Sequence, residues 1–307
     1  MYRRMLVPLD GSELAEVVFT YAKELAGRLD LDLIFLHVYS PEQSEFASIH
    51  RAYVEQAAEI IKRHSEEVQQ RTGIQPAGKA VEARGEVAVG HPAEEILHYA
   101  DENDIDLILM ATHGRSGVRR WAMGSVADKV LHASKVPVLL VRAGIPKEIV
   151  YDKWPSTTIL VPLDGSELAE SVLPHVEAVA KQRGAELVDV VLLRVCQTPV
   201  IPSNYPQVTY LTQEEAQKET AKYKRRVEQY LAGVEKRLKD VGLKVRSEVL
   251  VGEPADEIVD YANQNPFNLI VMATHGVSGF TRWALGSVAD RVLLGVSSPI
   301  FLVRPVK

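Results

Sequence analysis

The sequence predicts an α/β protein made of two tandem doubly wound domains, and three observations carry that expectation. Short apolar runs such as "RMLVPL" and "DLILMA" alternate with longer amphipathic stretches, the pattern of βαβ units whose parallel strands are covered on both faces. Three sequence blocks recur in the same order in the two halves. The 307 residues also make about two domains at roughly 100 to 200 residues each, so each half can bury its own core.

In the first half the elements read in order as "RMLVPL", a helix from Glu13 to Arg28, "LDLIFLHV", a helix from about Ser48 to Arg71, and "AGKAVEARG". A helix from Pro92 to Glu102, "DLILMA", a helix from Gly124 to Ala133 and "VPVLLVR" follow, giving five strands and four helices. Asp10 with Glu13 has N-cap spacing for the first helix, and Ser125 with Asp128 has the spacing of a capping box. The second half follows the same plan. Its helix from about Thr212 to Asp240 sets Tyr223, Val227, Tyr230, Leu231, Val234 and Leu238 on one stripe, which reads as core or domain interface.

The recurring blocks divide the chain. "LVPLDGSELAE" stands at Leu6 to Glu16 and unchanged at Leu160 to Glu170; "GHPAEEILHYA" from Gly90 is echoed by "GEPADEIVDYA" from Gly252. "MATHGRSGVRRWAMGSVADKVL" from Met110 is matched by "MATHGVSGFTRWALGSVADRVL" from Met272. Such long matched blocks mark a duplicated domain rather than a short solenoid repeat. The offset between copies grows from 154 to 162 residues, so the second carries an insertion, placed in the Pro-rich "QTPVIPSNYPQVTYL" (Gln197 to Leu211). The expected domains are residues 1–143 and 157–307, joined by a linker over 144–156 with a proline near each end.

Composition excludes several classes. Hydrophobic residues at 46% and charged residues at 25% are ordinary for a folded, water-soluble chain. A net charge of -6 offers no overall field for nucleic acid or an anionic membrane, and neither is expected as a partner. No apolar stretch could span a bilayer, and the apolar run at the start stops at Pro8 and Asp10, too short for a signal-peptide core. The single cysteine, Cys196, has no disulfide partner, which fits a reducing cytoplasm and a buried, inert thiol.

In a doubly wound sheet the ligand crevice lies beyond the carboxyl ends of the strands, where strand order reverses, and the matched blocks fall there. Asp10 and Asp164 end first strands, where an ionised carboxylate is an acceptor suited to an adenine amino group or a ribose hydroxyl. After the fourth strands, Ala111, Gly114, Gly124 and Ser125, and again Ala273, Gly276, Gly286 and Ser287, put small residues beside a helix N-terminus. Close backbone approach and free N–H groups make that a phosphate cradle; the plain alternative is that these glycines serve only turns. His113 and His275 lack Cys or His neighbours for a metal site, so loop packing or a phosphate contact is their expected role. His37 is matched by Arg194, which argues against a shared chemistry.

No GxxxxGK[ST] loop, GxGxxG turn or GxSxG elbow is present, and no base stands beside an obvious nucleophile. Arg119, Arg120 and Arg282 are the near cations for phosphoryl chemistry and read as a solvated loop face. Little intrinsic catalysis is expected.

With "LVPLDGS", "LHV", "GHPAEEI", "ATHG" and "GSVADKVL…VPVLLVR" in this order, the chain resembles the universal stress protein family in its tandem two-domain form, over both halves nearly end to end. The family's motif G-x2-G-x9-G-[ST] is matched in spacing by Ala111, Gly114, Gly124-Ser125 and by Ala273, Gly276, Gly286-Ser287, with alanine for glycine at the first position. An ordinary φ there tolerates the methyl; a positive φ would weaken the site. The resemblance implies a Rossmann-like fold of five parallel strands in order 3-2-1-4-5. It also implies ATP as ligand, with Mg or Mn on the phosphates. Asp10 and Asp164 would contact base or ribose, Pro8 and Pro162 would shape the same turn, and the backbones of Val38 and Val195 would recognise adenine.

The expected function is an ATP-binding stress-response or signalling module reporting to an unknown protein partner. The alternatives are a slow ATPase or autokinase and a scaffold with empty nucleotide sites. The fifth strands, "VPVLLVR" and "SPIFLVR", are apolar edge strands with early prolines that something should cover, so the halves are expected to join there as an intrachain pseudo-dimer. Two chains could also associate as a homodimer.

Overall fold

The computed structural model describes residues 2–72, 81–112, 123–142, 157–197, 213–265, 267–275 and 285–305. The linker, most of the proposed insertion, His113, Gly114, Gly276, Arg119, Arg120 and Arg282 lie outside them.

The first half contains β1 (Arg4–Leu9), α1 (Val18–Leu29), β2 (Asp32–Tyr39), α2 (Ala47–Thr72), β3 (Ala83–Val89), α3 (Pro92–Glu102), β4 (Leu107–Ala111), α4 (Ser125–Ala133) and β5 (Val138–Val141). The second contains β6 (Thr157–Pro162), α5 (Glu167–Glu170), α6 (Leu173–Arg183), β7 (Val188–Cys196), α7 (Gln213–Asp240), β8 (Lys244–Val251), α8 (Pro254–Gln264), β9 (Leu269–Ala273), α9 (Ser287–Gly295) and β10 (Ile300–Val303). Within each half the strands are parallel in the order 3-2-1-4-5. β4 and β9 are buried at every residue because helices cover both faces.

α1, α2, α6 and α7 pack on one face of the sheet, α3, α4, α8 and α9 on the other, and each core layer runs through both halves. Pro92 and Pro254 open α3 and α8, where the lost N–H would have had no helical partner anyway. Glu94, Glu95, Asp256 and Glu257 in the first turns suit the positive end of the helix dipole.

The two sheets are one. β5 pairs antiparallel with β10, giving ten strands in the order β3-β2-β1-β4-β5-β10-β9-β6-β7-β8. Leu139 faces Phe301, its own counterpart in the duplicated sequence, while Val138 faces Leu302 and Leu140 faces Ile300. Equivalent residues meeting each other is the register of a pseudo-twofold axis. The edge-strand expectation holds: the amide-bearing edge that would template aggregation is closed within the chain.

Several local expectations need correction. α1 starts at Val18 rather than Glu13, because residues 13–17 form turns. β3 lies later than "AGKAVEARG" suggested, over Ala83–Val89. The first helix of the second half is broken into α5 and α6, making five helices there among the described residues rather than four. On α7, Val227, Leu231, Val234 and Leu238 are buried core as expected, whereas Tyr223 is exposed and faces the crevice described next.

Candidate functional site

Each half has a crevice at the carboxyl ends of its strands, between its first and fourth strands, where the chain order reverses. Crevice one holds about 430 Å3 and is walled by Pro8, Asp10, Val38, Ala111, Gly124 and Ser125, with Ile96 and Met110 behind them. Crevice two holds about 590 Å3 and is walled by Pro162, Asp164, Val195, Ala273, Gly286 and Ser287, with Ile258 and Met272 behind. The fold thus gathers every sequence-predicted site residue that it describes; Gly114 and Gly276 lie outside the described residues.

The aspartates organise a turn rather than cap a helix. Asp10 Oδ1 accepts from the Ser12 N–H at 3.0 Å and from its Oγ at 2.6 Å, and Ser12 Oγ in turn accepts the Ala15 N–H at 3.2 Å. Asp164 does the same with Ser166 at 2.9 and 2.6 Å, and Ser166 Oγ caps α5 by accepting the Ala169 N–H at 3.1 Å. In the second half the capping hydroxyl is therefore the serine two residues later, whereas in the first Ser12 closes a turn ahead of α1. The intervening Gly11 and Gly165 have φ of 77° and 82°, a conformation that a side chain would strain.

The block that begins at Met110, and its copy at Met272, builds the cradle. The Thr112 N–H donates to the Val141 carbonyl at 2.9 Å, and the Thr112 carbonyl accepts the Gly124 N–H at 2.8 Å. Thr274, Val303 and Gly286 repeat this at 2.9 and 2.8 Å. These bonds pin the start of α4 or α9 against the end of the fourth strand. The capping box expected from Ser125 and Asp128 does not form: Gly124 and Gly286 are the N-caps, and neither gives a side-chain cap. The positive end of each helix is left to face the crevice. Gly286 has φ -60°, so conformation alone does not demand glycine; a Cβ would stand 3.2 Å from the Thr274 carbonyl oxygen. Ala111 and Ala273 end strands, and neither has a positive φ, so their methyls are tolerated.

The outer walls differ. In crevice one His37 is buried, with Nδ1 2.8 Å from the Leu9 carbonyl oxygen, and its ring stacks at 4.5 Å on His50, which stacks at 4.8 Å on Tyr39. In crevice two Arg194 takes the place of His37, with its Cζ 5.0 Å from the Tyr230 ring centre. Gln43, from the 3-10 turn Pro41–Phe46, lines crevice one; Tyr223 from α7 lines crevice two. His91 at one mouth is replaced by Glu253 at the other. The sequence reading missed Thr112 and Thr274, although the repeated "ATHG" contained them, and Gln43 and Tyr223, which no block marked.

His275 is buried in the wall of crevice two with Nδ1 3.0 Å from Thr274 Oγ1. Among the described residues no group of three His, Cys, Asp or Glu could hold a metal ion, and no helix is long and apolar enough to cross a membrane. Cys196 is buried, and burial pushes its thiol pKa up, away from the reactive thiolate.

A model of the universal stress protein family matches residues 1–142 and again 155–304. A universal stress protein of Mycolicibacterium smegmatis is 26% identical over 305 residues, spanning 98% of this chain and 97% of its own. One from Methanocaldococcus jannaschii is 32% identical over 151 residues, 48% of this chain and 82% of its own. The crystal structure of a universal stress protein from Archaeoglobus fulgidus shares the fold, with a TM-score of 0.66 at 20% identity over 98% of each chain. Matched once in each half and spanned nearly end to end, the chain belongs to the universal stress protein family, in tandem two-domain form.

Proposed function

We propose that the chain is a stress-response module that binds ATP in both crevices and passes its nucleotide state to a protein partner. The observation that carries this reading is the coincidence, twice in one chain, of an acceptor carboxylate turn with an uncapped helix N-terminus across an apolar-backed crevice. The carboxylate suits a base amino group or ribose hydroxyl, the helix end suits phosphate, and the valine, isoleucine and methionine surfaces suit an adenine face.

The acceptor carboxylates and helix N-termini suit a nucleotide, and among the described residues no group of three His, Cys, Asp or Glu could hold a metal ion. Mg or Mn would come on the ATP phosphates. Asp10 and Asp164 would orient the nucleoside, Ser125 and Ser287 would present backbone N–H groups, and Pro8 and Pro162 would fix the turn. Phosphoryl transfer at ordinary enzyme rates, about 1 to 1,000 per second, is not expected from this arrangement.

Calorimetric titration with Mg-ATP or Mn-ATP should return two sites per chain. Absence of binding would reject the reading, and a stoichiometry near one would show that the two crevices have specialised.

A further inference from the structure

We infer that crevice two selects adenine nucleotides whose ribose carries an additional phosphate, and that Arg194 is the selecting residue; the inference rests on the nucleotide reading above. Arg194 lies on β7 beside Val195 and lines the crevice half-buried. Its guanidinium is stacked on Tyr230 and lies against Gly165, where a Cβ would collide with it. Among the described residues it has neither a hydrogen-bond acceptor nor an ion-pair partner. Of the carboxylates around it, Asp164 accepts from Ser166 at 2.9 and 2.6 Å, Glu170 is engaged with Arg237 at 2.5 Å, and Glu253 with Gln197 at 3.4 Å.

A half-buried cation without an acceptor has lost hydration and gained only a ring contact, which an anion in the crevice would remedy. The planar fork, held by the stack, suits a phosphate bidentately. Position decides which phosphate. β6 separates β7 from β9, so Arg194 stands beside the Asp164 turn, at the nucleoside end, while the triphosphate cradle of Gly286 and Ser287 follows β9. An anion reached by Arg194 is therefore a substituent of the sugar. Among the described residues crevice one offers no comparable cation at this position: His37 is buried, commits Nδ1 to the Leu9 carbonyl and stacks on His50.

The test uses the full chain with crevice one silenced by Gly124→Val, titrated calorimetrically with adenosine 5′-monophosphate, adenosine 2′,5′-bisphosphate and adenosine 3′,5′-bisphosphate. One bisphosphate should bind on the order of tenfold to a hundredfold tighter than the monophosphate, the scale of a charge-assisted contact, and the 2′ and 3′ arms identify which. Arg194→His should bring the ratio of bisphosphate to monophosphate affinity down to about one, and Arg194→Lys, which keeps the charge without the fork, should retain part of the preference. Equal binding of all three probes, or a preference that survives in Arg194→His, overturns the inference and leaves the nucleotide reading intact. No binding of any probe or of ATP overturns both.

Discussion

The two crevices have the same floor and different walls. Their carboxylate turns and helix N-termini agree within about 0.1 Å in hydrogen-bond length, from Asp10 and Asp164 to Gly124 and Gly286. Around that floor, a His37–His50–Tyr39 stack is exchanged for Arg194 on Tyr230, and Gln43 for Tyr223. The floor is built by strand ends and backbone hydrogen bonds that tolerate few residue types. The walls come from side chains on β2, β7, α2, α7 and the 3-10 turn Pro41–Phe46, which can change without disturbing the sheet. A duplicated fold can in this way retain one ligand chemistry twice and still tell two ligands apart.

The largest expected effect removes what the crevices share. Gly124→Val with Gly286→Val should abolish nucleotide binding, because branched carbons beyond a Cβ already 3.2 Å from the Thr274 carbonyl would enter the phosphate space. Circular dichroism should show the fold retained, since both glycines are N-caps with ordinary φ. Each single variant should halve the stoichiometry. Unchanged affinity in the double variant would place the site elsewhere.

A second comparison sits at the seam. Leu139 and Phe301 are equivalent positions paired with each other, yet Phe301 also meets the Tyr2 ring edge-on at 5.8 Å. Phe301→Ala should destabilise the chain by about 3 to 5 kcal/mol and Leu139→Ala by about 2 to 5, with the aromatic site the costlier. Denaturant titration measures the difference. Hydrogen exchange adds an independent check: amides of β5 and β10, bonded on both sides, should be among the slowest. Rapid exchange there would break the ten-stranded sheet into two.

Much of this was legible in the sequence because it repeats. The blocks "LVPLDGS" and "ATHG…GS" mark strand ends whose geometry is set locally, and the edge-strand argument for "VPVLLVR" and "SPIFLVR" rests on chemistry that each strand carries alone. Local competition was harder to read. Asp10, Ser12 and Ala15 close a turn by side-chain bonding, which delays α1 to Val18 in a way that apolar periodicity does not register. The wall residues were opaque for a different reason: Tyr223 shares a helical stripe with core residues, and only the crossing of α7 over the strand ends separates it from them. Arg194 could be aligned to His37, but that it meets no acceptor among the described residues is a fact of three dimensions.

The smallest expected effect sharpens the seam comparison through pH. Gln182 Nε2 donates to the Tyr2 carbonyl at 2.7 Å, and the Tyr2 hydroxyl stands 2.5 Å from His175 Nδ1. The duplicated counterparts of His175 and Gln182 are Tyr21 and Arg28, and Arg28 turns to Glu24 of its own half at 2.8 Å. His175 thus has no histidine counterpart across the pseudo-axis. Burial lowers the His175 pKa and pushes that of the Tyr2 hydroxyl up, so the tyrosine keeps its proton and donates it to a neutral imidazole. An unfolded chain takes up a proton on this histidine as pH falls through about 6.5, while the folded chain resists until lower pH. The stabilisation from His175 is therefore full above about 6.5 and is lost as pH falls through the depressed folded value. Thermal melts from about pH 7.5 to about pH 5 should show Tm falling with acidity, and His175→Gln, which cannot titrate, should reduce the slope. An unchanged slope in that variant would assign the acid sensitivity to groups away from the seam.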